Sequence, residues 1–195
     1  MRRVPFLQWA ASVLISAVFP ILQAHAAATL TIVPGQGFND STAAAPVGGN
    51  TGTTVGAQRL IAFQHAANIW GQRINSPVEI RVSANFVPLE CSNSSGVLGA
   101  AGPTTVHRDF PGAPLAGTWY VQALANGLFG GDLSAGDEDI DAVFNSNIGS
   151  PGCLQTSGWY YGLDGNTPAG KIDFVTVLVH EFGHGLGFLS LVSLS

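Results

Sequence analysis

The segment Asp173–Phe188 constrains the fold of this chain more than any other part of the sequence. It reads D-F-V-T-V-L-V-H-E-F-G-H-G-L-G-F and is almost entirely apolar between its first residue and its two histidines. Such a composition is typical of a helix that is buried inside a domain, and Asp173 is predicted to be its N-cap. The chain must therefore build a core around this helix. It must also give the polar side chains a partner, since burying them without one is costly.

Those polar side chains form the pattern H-E-x-x-H, with His180, Glu181 and His184. Residues four apart share one face of a helix, so both imidazoles can reach a single metal ion. Zinc suits neutral imidazole nitrogen, and a carboxylate next to the first ligand can take a proton from a zinc-activated water. We therefore predict that His180 and His184 bind Zn²⁺ and that Glu181 is the general base. The alternative is a pair of core histidines that are satisfied by hydrogen bonds.

Periodicity elsewhere predicts an α+β fold. Apolar residues at helical spacing indicate a helix over 57–70, and faultless alternation of apolar and polar residues indicates a half-buried strand over 78–86. A second strand is predicted over 140–144. In the helix, four polar side chains are predicted to point away from the core: Gln58, Arg59, Gln64 and His65.

Between these elements the signals are weaker. Residues 91–117 contain many glycines and prolines and little periodicity, which predicts a long loop. A short helix is predicted over 118–128, capped by Thr118 and ended by Gly127.

The first 26 residues have the features of a secretory signal. A basic start, Met1–Arg3, precedes an apolar run over 10–19 and the small-x-small sequence Ala24–Ala26. We predict cleavage after Ala26, the alternative being an uncleaved anchor over 4–22. The mature protein is then secreted or periplasmic and makes no membrane contact.

Charge and cysteine usage agree with export. The 12 acidic residues outnumber the 7 basic ones, which argues against a nucleic-acid partner. In an exported protein, Cys91 and Cys153 most simply form one disulfide. After the signal peptide (1–26), residues 27–56 are rich in Gly, Ala and Thr and predict an extended segment, anchored by Phe38. Residues 57–195 then form the main domain.

The motif continues as H-E-x-x-H-x-x-G over 180–187 and in this form resembles the metzincin clan of zinc metallopeptidases. In that clan the glycine turns the chain off the helix. The predicted order of one helix, two strands and the zinc helix is similar to the zincin order. The resemblance implies a zincin-like N-terminal subdomain with a small mixed sheet, whose last strand is the edge to which extended substrate adds, so that Asp139–Asn145 line the cleft. It also implies a secreted zinc metalloendopeptidase that hydrolyses peptide or protein substrates.

The chain departs from this family at the third metal ligand. Metzincins place His or Asp three residues after the glycine, where this chain has Ser190, and no His, Asp, Glu or Cys follows His184. Met1 is the only methionine, so the Met-turn of the family is absent. We expect the chain to be the N-terminal part of a longer metallopeptidase. The alternatives are a third ligand from upstream, with His65 and His107 as candidates, or no third ligand at all.

An acidic cluster is a further candidate for ligands and for a structural Ca²⁺ site. It consists of Asp132, Asp137, Glu138, Asp139 and Asp141. The spacing does not match an EF-hand, because Ala142 and Ile148 stand where that loop needs glycine and glutamate. An irregular calcium site or a solvated acidic turn are the remaining interpretations. The functional alternatives to a peptidase are a non-catalytic exported metal-binding or interaction domain, an inactive peptidase fragment, and a different zinc hydrolase.

Overall fold

The structure is a computed structural model that describes residues 27–189. The predicted signal peptide and Ser190 lie outside the described residues. Helices and strands alternate in a mixed arrangement, so the predicted α+β class is confirmed. In chain order the elements are β1 (Leu30–Pro34), α1 (Val55–Gly71), β2 (Ile80–Val87), β3 (Gly99–Pro103), β4 (Val106–His107), β5 (Tyr120–Val121), α2 (Gln122–Phe129), β6 (Ile140–Asn145), β7 (Trp159–Tyr160), β8 (Ile172–Asp173) and α3 (Phe174–Gly185).

The main sheet has four strands in the order β1-β2-β6-β3. β1, β2 and β6 run parallel, and β3 pairs antiparallel with β6 at the edge. Every second residue of β2 is buried, which confirms the alternation predicted from the sequence. The buried side chains of β2 and β6 share one core with those of α1 and α3. Both long helices therefore cover the same face of the sheet.

Aromatic rings fill the space between the sheet and these two helices. Phe63 of α1 lies 5.2 Å from Phe144 of β6, 5.6 Å from Phe174 and 5.9 Å from Phe182, measured between ring centroids. Phe174, Leu178 and Phe182 occupy every fourth position of α3 and are fully buried. Because one face of α3 is committed to the core in this way, the intervening residues must face the edge of the sheet and solvent.

The helix predicted over 57–70, the strand predicted over 78–86 and the strand predicted over 140–144 are all confirmed as α1, β2 and β6. Asp173 is confirmed as the N-cap of α3, because its Oδ1 accepts a hydrogen bond of 2.7 Å from the amide of Thr176. The predicted disulfide between Cys91 and Cys153 is present.

The long loop predicted over 91–117 is wrong in its centre, where β3 and β4 lie. The sequence Gly99–Pro103 carries no apolar alternation, and its pairing depends on backbone hydrogen bonds with β6. This pairing also corrects the implied position of Asp139–Asn145. β6 lies inside the sheet between β2 and β3, so the edge beside α3 belongs to β3.

The predicted orientation of two side chains of α1 is also wrong. Gln58 and Arg59 are buried instead of pointing to solvent, because the segment before α1 folds over them. Gln58 Nε2 donates to the carbonyl of Ala45, and the Arg59 guanidinium donates to the carbonyl of Gly37. The segment 27–56 contributes β1 to the sheet and is anchored through Phe38, whose ring lies 5.2 Å from that of Phe63.

The short helix α2 is displaced from its predicted position. It begins at Gln122 after Val121, which provides no side-chain cap, so Thr118 is not the N-cap. It runs past Gly127 and ends at Phe129. Its C-cap, Gly130, adopts a left-handed conformation with φ of 78°. Glycine is favoured there because a Cβ disfavours positive φ. Within residues 27–189, no helix has both the length and the apolar character needed to cross a membrane.

Candidate metal centre

The two motif histidines converge at their Nε2 atoms. His180 Nε2 lies 3.1 Å from His184 Nε2, and the two rings stand nearly perpendicular at an interplanar angle of 89°. Two nitrogens that bind one tetrahedral zinc ion at ~2.0–2.1 Å lie roughly 3.3 Å apart. The observed separation is close to this value, and it is also that of a hydrogen bond between the two rings, as the alternative of hydrogen-bonded histidines predicts.

The tautomer of His184 is selected by the turn that follows α3. Its Nδ1 lies 2.8 Å from the carbonyl oxygen of Phe188, which can only accept, so Nδ1 carries the proton. In the neutral ring, Nε2 of His184 then carries the free lone pair, and this atom faces His180. A backbone carbonyl in this role is the usual support of a metal-binding histidine, because it fixes the ring orientation and the tautomer.

Gly187 makes that support possible. The helix ends at Gly185, and Gly187 has φ of 114°, a conformation that side chains with a Cβ rarely adopt. The chain reverses there, and the amide of Phe188 bonds back to the carbonyl of Gly183 at 2.9 Å. The last glycine of H-E-x-x-H-x-x-G thus delivers the Phe188 carbonyl to the ring of His184.

Glu181 faces the edge strand. Its Oε2 accepts a hydrogen bond of 3.2 Å from the backbone amide of Ala101 in β3. The side chain is half-buried, next to His180, and its carboxylate is held between the helix and the strand. This contact joins residues 80 positions apart in the chain and fixes the carboxylate at the same edge as the two imidazoles.

The outward side of β3 has backbone groups free for a further strand. The carbonyl of Leu98 accepts from the amide of Asn145, and the amide of Thr104 donates to the carbonyl of Asp139, so even-numbered residues face β6. Antiparallel pairing alternates, and Gly99 and Ala101 therefore direct their amides and carbonyls away from the sheet. The Ala101 amide already donates to Glu181 on this side, so the amide and carbonyl of Gly99 and the carbonyl of Ala101 remain for an added strand.

An open cavity of about 410 Å³ lies beside the motif. One wall is the segment 97–99 (Val97, Leu98 and Gly99) before and at the start of β3. The other is the first turns of α3, including Thr176 and Val177, and the floor reaches His180 and Glu181. Three of the lining side chains are branched aliphatic groups, so the cavity suits an apolar group. We call this cavity the edge cleft.

The upstream ligand candidates do not join the two histidines. His107 Nε2 lies 3.2 Å from Ser134 Oγ, beside the loop before β6, and His65 is half-buried on α1. Among residues 27–189, no group of three or more His, Cys, Asp or Glu side chains is arranged around a common metal position. The described part of the chain therefore brings together two imidazoles and one adjacent carboxylate.

Within the acidic cluster, local hydrogen bonds occupy several of the carboxylates. Asp139 is buried; its Oδ2 accepts from the amide of Arg81 at 2.8 Å and its Oδ1 accepts from Asn126 Nδ2 at 2.8 Å. Burial raises the pKa of Asp139 above its ordinary value, against the lowering effect of the Arg81 amide, while nearby Asp132 adds to the rise. Glu138 pairs with Arg81 at 3.4 Å. These contacts hold the end of the loop to β2 and α2.

Sequence reasoning missed the residues of the edge cleft that lie outside α3. Ala101 and the segment 97–99 carry no chemical motif, and only a correct assignment of β3 would have placed them beside Glu181.

Comparison of the chain with protein-family models, curated protein sequences and solved structures finds no match.

Proposed function

We propose that the protein is an exported zinc-dependent metalloendopeptidase in which His180 and His184 bind the metal and Glu181 is the general base. The observation that carries the proposal is the 3.1 Å convergence of the two Nε2 atoms beside a carboxylate at an open sheet edge. In the neutral ring, the hydrogen bond from His184 Nδ1 to the Phe188 carbonyl places the free lone pair on Nε2. When bound, zinc supplies Lewis acidity, which activates water and polarises a carbonyl group.

The residues of this chain have separate tasks in such a reaction. Extended substrate pairs with the outward amide and carbonyl of Gly99 and with the outward carbonyl of Ala101, as a further strand of the sheet. One apolar side chain of the substrate enters the edge cleft between segment 97–99 and Val177. Glu181 takes a proton from the attacking water and passes it to the departing amine, so no net proton is lost. Hydrolysis consumes one water per peptide bond.

Export is part of the proposal. The disulfide between Cys91 and Cys153 is compatible with an oxidising compartment, where such bonds persist. Purified from the extracytoplasmic fraction, the protein is expected to begin at Ala27, which N-terminal sequencing measures. A start at Met1 would contradict cleavage of the signal peptide.

A second candidate function is a non-catalytic exported zinc-binding module. It is favoured by one observation, that residues 27–189 supply two metal ligands whereas catalytic zinc sites use three from protein. A different zinc hydrolase would use the same helix, since the motif specifies activation of water and not the bond attacked.

Substitution Glu181→Gln separates these functions. The peptidase proposal expects zinc binding to be retained and cleavage of an unstructured protein to fall by at least ~100-fold, because the general base is lost. Zinc content is measured by mass spectrometry of the metal, and cleavage by release of new amino termini. Glu90→Gln, on an exposed carboxylate away from the motif, is the control that should change neither. Zinc binding by the wild type without any cleavage would favour the binding module, and cleavage that survives Glu181→Gln would reject the assigned base.

A further inference from the structure

We propose that Asn145 is a positioning residue that makes the edge cleft selective for large apolar side chains. The inference rests on the proposed function, because it concerns the cleft in which that function places the substrate. Asn145 touches neither the motif nor the cavity and would act through the wall that it holds.

The side chain of Asn145 bonds to both ends of the segment 88–98 between β2 and β3, which we call the excursion. It is fully buried at the end of β6. Its Oδ1 accepts from the amides of Leu89 at 3.3 Å and Asn147 at 2.9 Å. Its Nδ2 donates to the carbonyls of Val97 at 2.8 Å and Leu89 at 3.5 Å. One amide group therefore closes the base of the loop that leads into the cleft wall.

The backbone of Asn145 extends this hold to the opposite wall. Its amide donates to the carbonyl of Leu98 at 2.9 Å, so two consecutive wall residues bond to it. Its carbonyl accepts from Trp159 Nε1 at 3.0 Å, and the Trp159 ring packs 4.9 Å from that of Phe174, the first residue of α3. Asn145 therefore holds one wall directly, through Val97 and Leu98, and contacts the start of the other wall through Trp159.

Only an amide satisfies this position. Asp can accept from Leu89 and Asn147 but cannot donate to Val97, and an apolar residue leaves buried carbonyls and amides without partners. Within the same excursion, Cys91 pairs with Gly96, and its disulfide ties it to Cys153. A wall that is held by Asn145 at its base and by the disulfide further along cannot collapse onto a small side chain, so a substrate group that fills the cleft binds more tightly.

The test compares the binding of two peptides. They are glycine-rich hexapeptides that differ only in one leucine or alanine, with reduced peptide bonds on both sides of that residue so that neither is cleaved. Dissociation constants are measured by fluorescence polarisation on the whole protein with zinc. We expect the wild type to bind the leucine peptide about tenfold more tightly. In Asn145→Asp, which loses the donation to Val97, we expect the ratio to fall to about twofold or less.

Asn50→Asp is the matched control. Asn50 is also fully buried; its Oδ1 accepts from the amide of Gly52 at 3.0 Å, and its Nδ2 donates to the carbonyls of Gln58 at 2.9 Å and Tyr161 at 2.8 Å. The same substitution there also keeps the acceptor and removes two donations to backbone carbonyls. It should lower the melting temperature in a similar way and leave the leucine-to-alanine ratio unchanged.

Each outcome decides the inference. Where Asn145→Asp does not fold, Asn145→Ser, whose hydroxyl is too short to reach the Val97 carbonyl, is measured in its place. A ratio that stays at the wild-type value in the Asn145 variant, or that falls equally in Asn50→Asp, overturns the role of Asn145. A wild type that binds both peptides equally overturns it too. Discrimination without cleavage of unmodified peptides rejects the peptidase function and leaves the inference standing.

Discussion

The end of α3 and the loop before β6 both carry several ionisable side chains, yet the structure uses them in opposite ways. In the loop, Asp139 accepts from a backbone amide and from Asn126, so its oxygens have donors. At the end of α3, the nitrogens of His180 and His184 face each other at 3.1 Å. The first arrangement consumes ligand atoms in holding the chain together. The second brings two together where a cation can share them.

The difference shows that the number of ionisable residues in a segment does not decide whether their ligand atoms converge. Five acidic residues fall within positions 132–141, four of them in the loop and Asp141 in β6, against two histidines and one glutamate in the helix. The helix periodicity places its residues on one face, whereas carboxylates in an irregular loop turn to the nearest amide or cation.

The largest expected effect concerns zinc binding by the two regions. His180→Ala should weaken zinc binding by at least ~100-fold, because it removes one of the two converging nitrogens. His107→Ala, which removes a histidine bonded to Ser134 beside the acidic loop, should leave zinc affinity unchanged. Competition with a chromophoric chelator measures both. Equal losses of zinc affinity in the two variants would show that the end of α3 does not bind zinc in preference to the loop before β6.

A smaller effect is expected from the two left-handed glycines that follow α3 and α2. Gly187→Ala should lower zinc affinity about tenfold, because strain at φ of 114° displaces the Phe188 carbonyl from His184. Gly130→Ala is the control for positive φ alone. Gly130 has φ of 78°, and a methyl group there would meet no atom of the described residues within 4 Å, whereas a methyl group at Gly187 would lie 3.3 Å from Cγ2 of Val121. Both substitutions should cost about 1 to 2 kcal/mol of stability.

Calorimetric melting and the same chelator competition separate the two effects. Zinc affinity that is insensitive to Gly187→Ala would mean that the Phe188 carbonyl does not orient His184.

The smallest effect is a pH dependence that belongs to the loop alone. Because the pKa of Asp139 is raised in the folded protein, folding favours its protonated form. Its contribution to the free energy of unfolding is present in full below the unfolded value of 3.8 and is lost as the pH rises through the folded pKa. Asp139→Asn removes this titration, so the stability of the wild type relative to the variant should fall as the pH rises from the unfolded value toward neutrality.

Urea denaturation of both proteins at several pH values measures this difference. A relative stability that rises with pH would show that hydrogen bonding from Arg81 and Asn126 outweighs burial at Asp139.

Regular, strongly periodic segments could be predicted from the sequence. α1, β2, β6 and the N-cap of α3 follow from the spacing of apolar residues and from one capping side chain. β3 could not be predicted in this way, because Gly99–Pro103 has almost no side chains to alternate. The glycine at position 99 is explained by the contact of β3 with β6, since a Cβ on Gly99 would lie 2.6 Å from Cδ1 of Phe144. Glycine lets the edge strand approach the core ring.

The sequence by itself determined the convergence of the two histidines beside a carboxylate, because residues four apart on a helix meet whatever surrounds the helix. Only the tertiary structure decided what these residues face. The Ala101 amide at Glu181, the Phe188 carbonyl at His184 and the wall held by Asn145 are backbone contacts. Backbone amides and carbonyls are present at nearly every position, so residue types do not predict which of them reach the site. The fold alone brings them there.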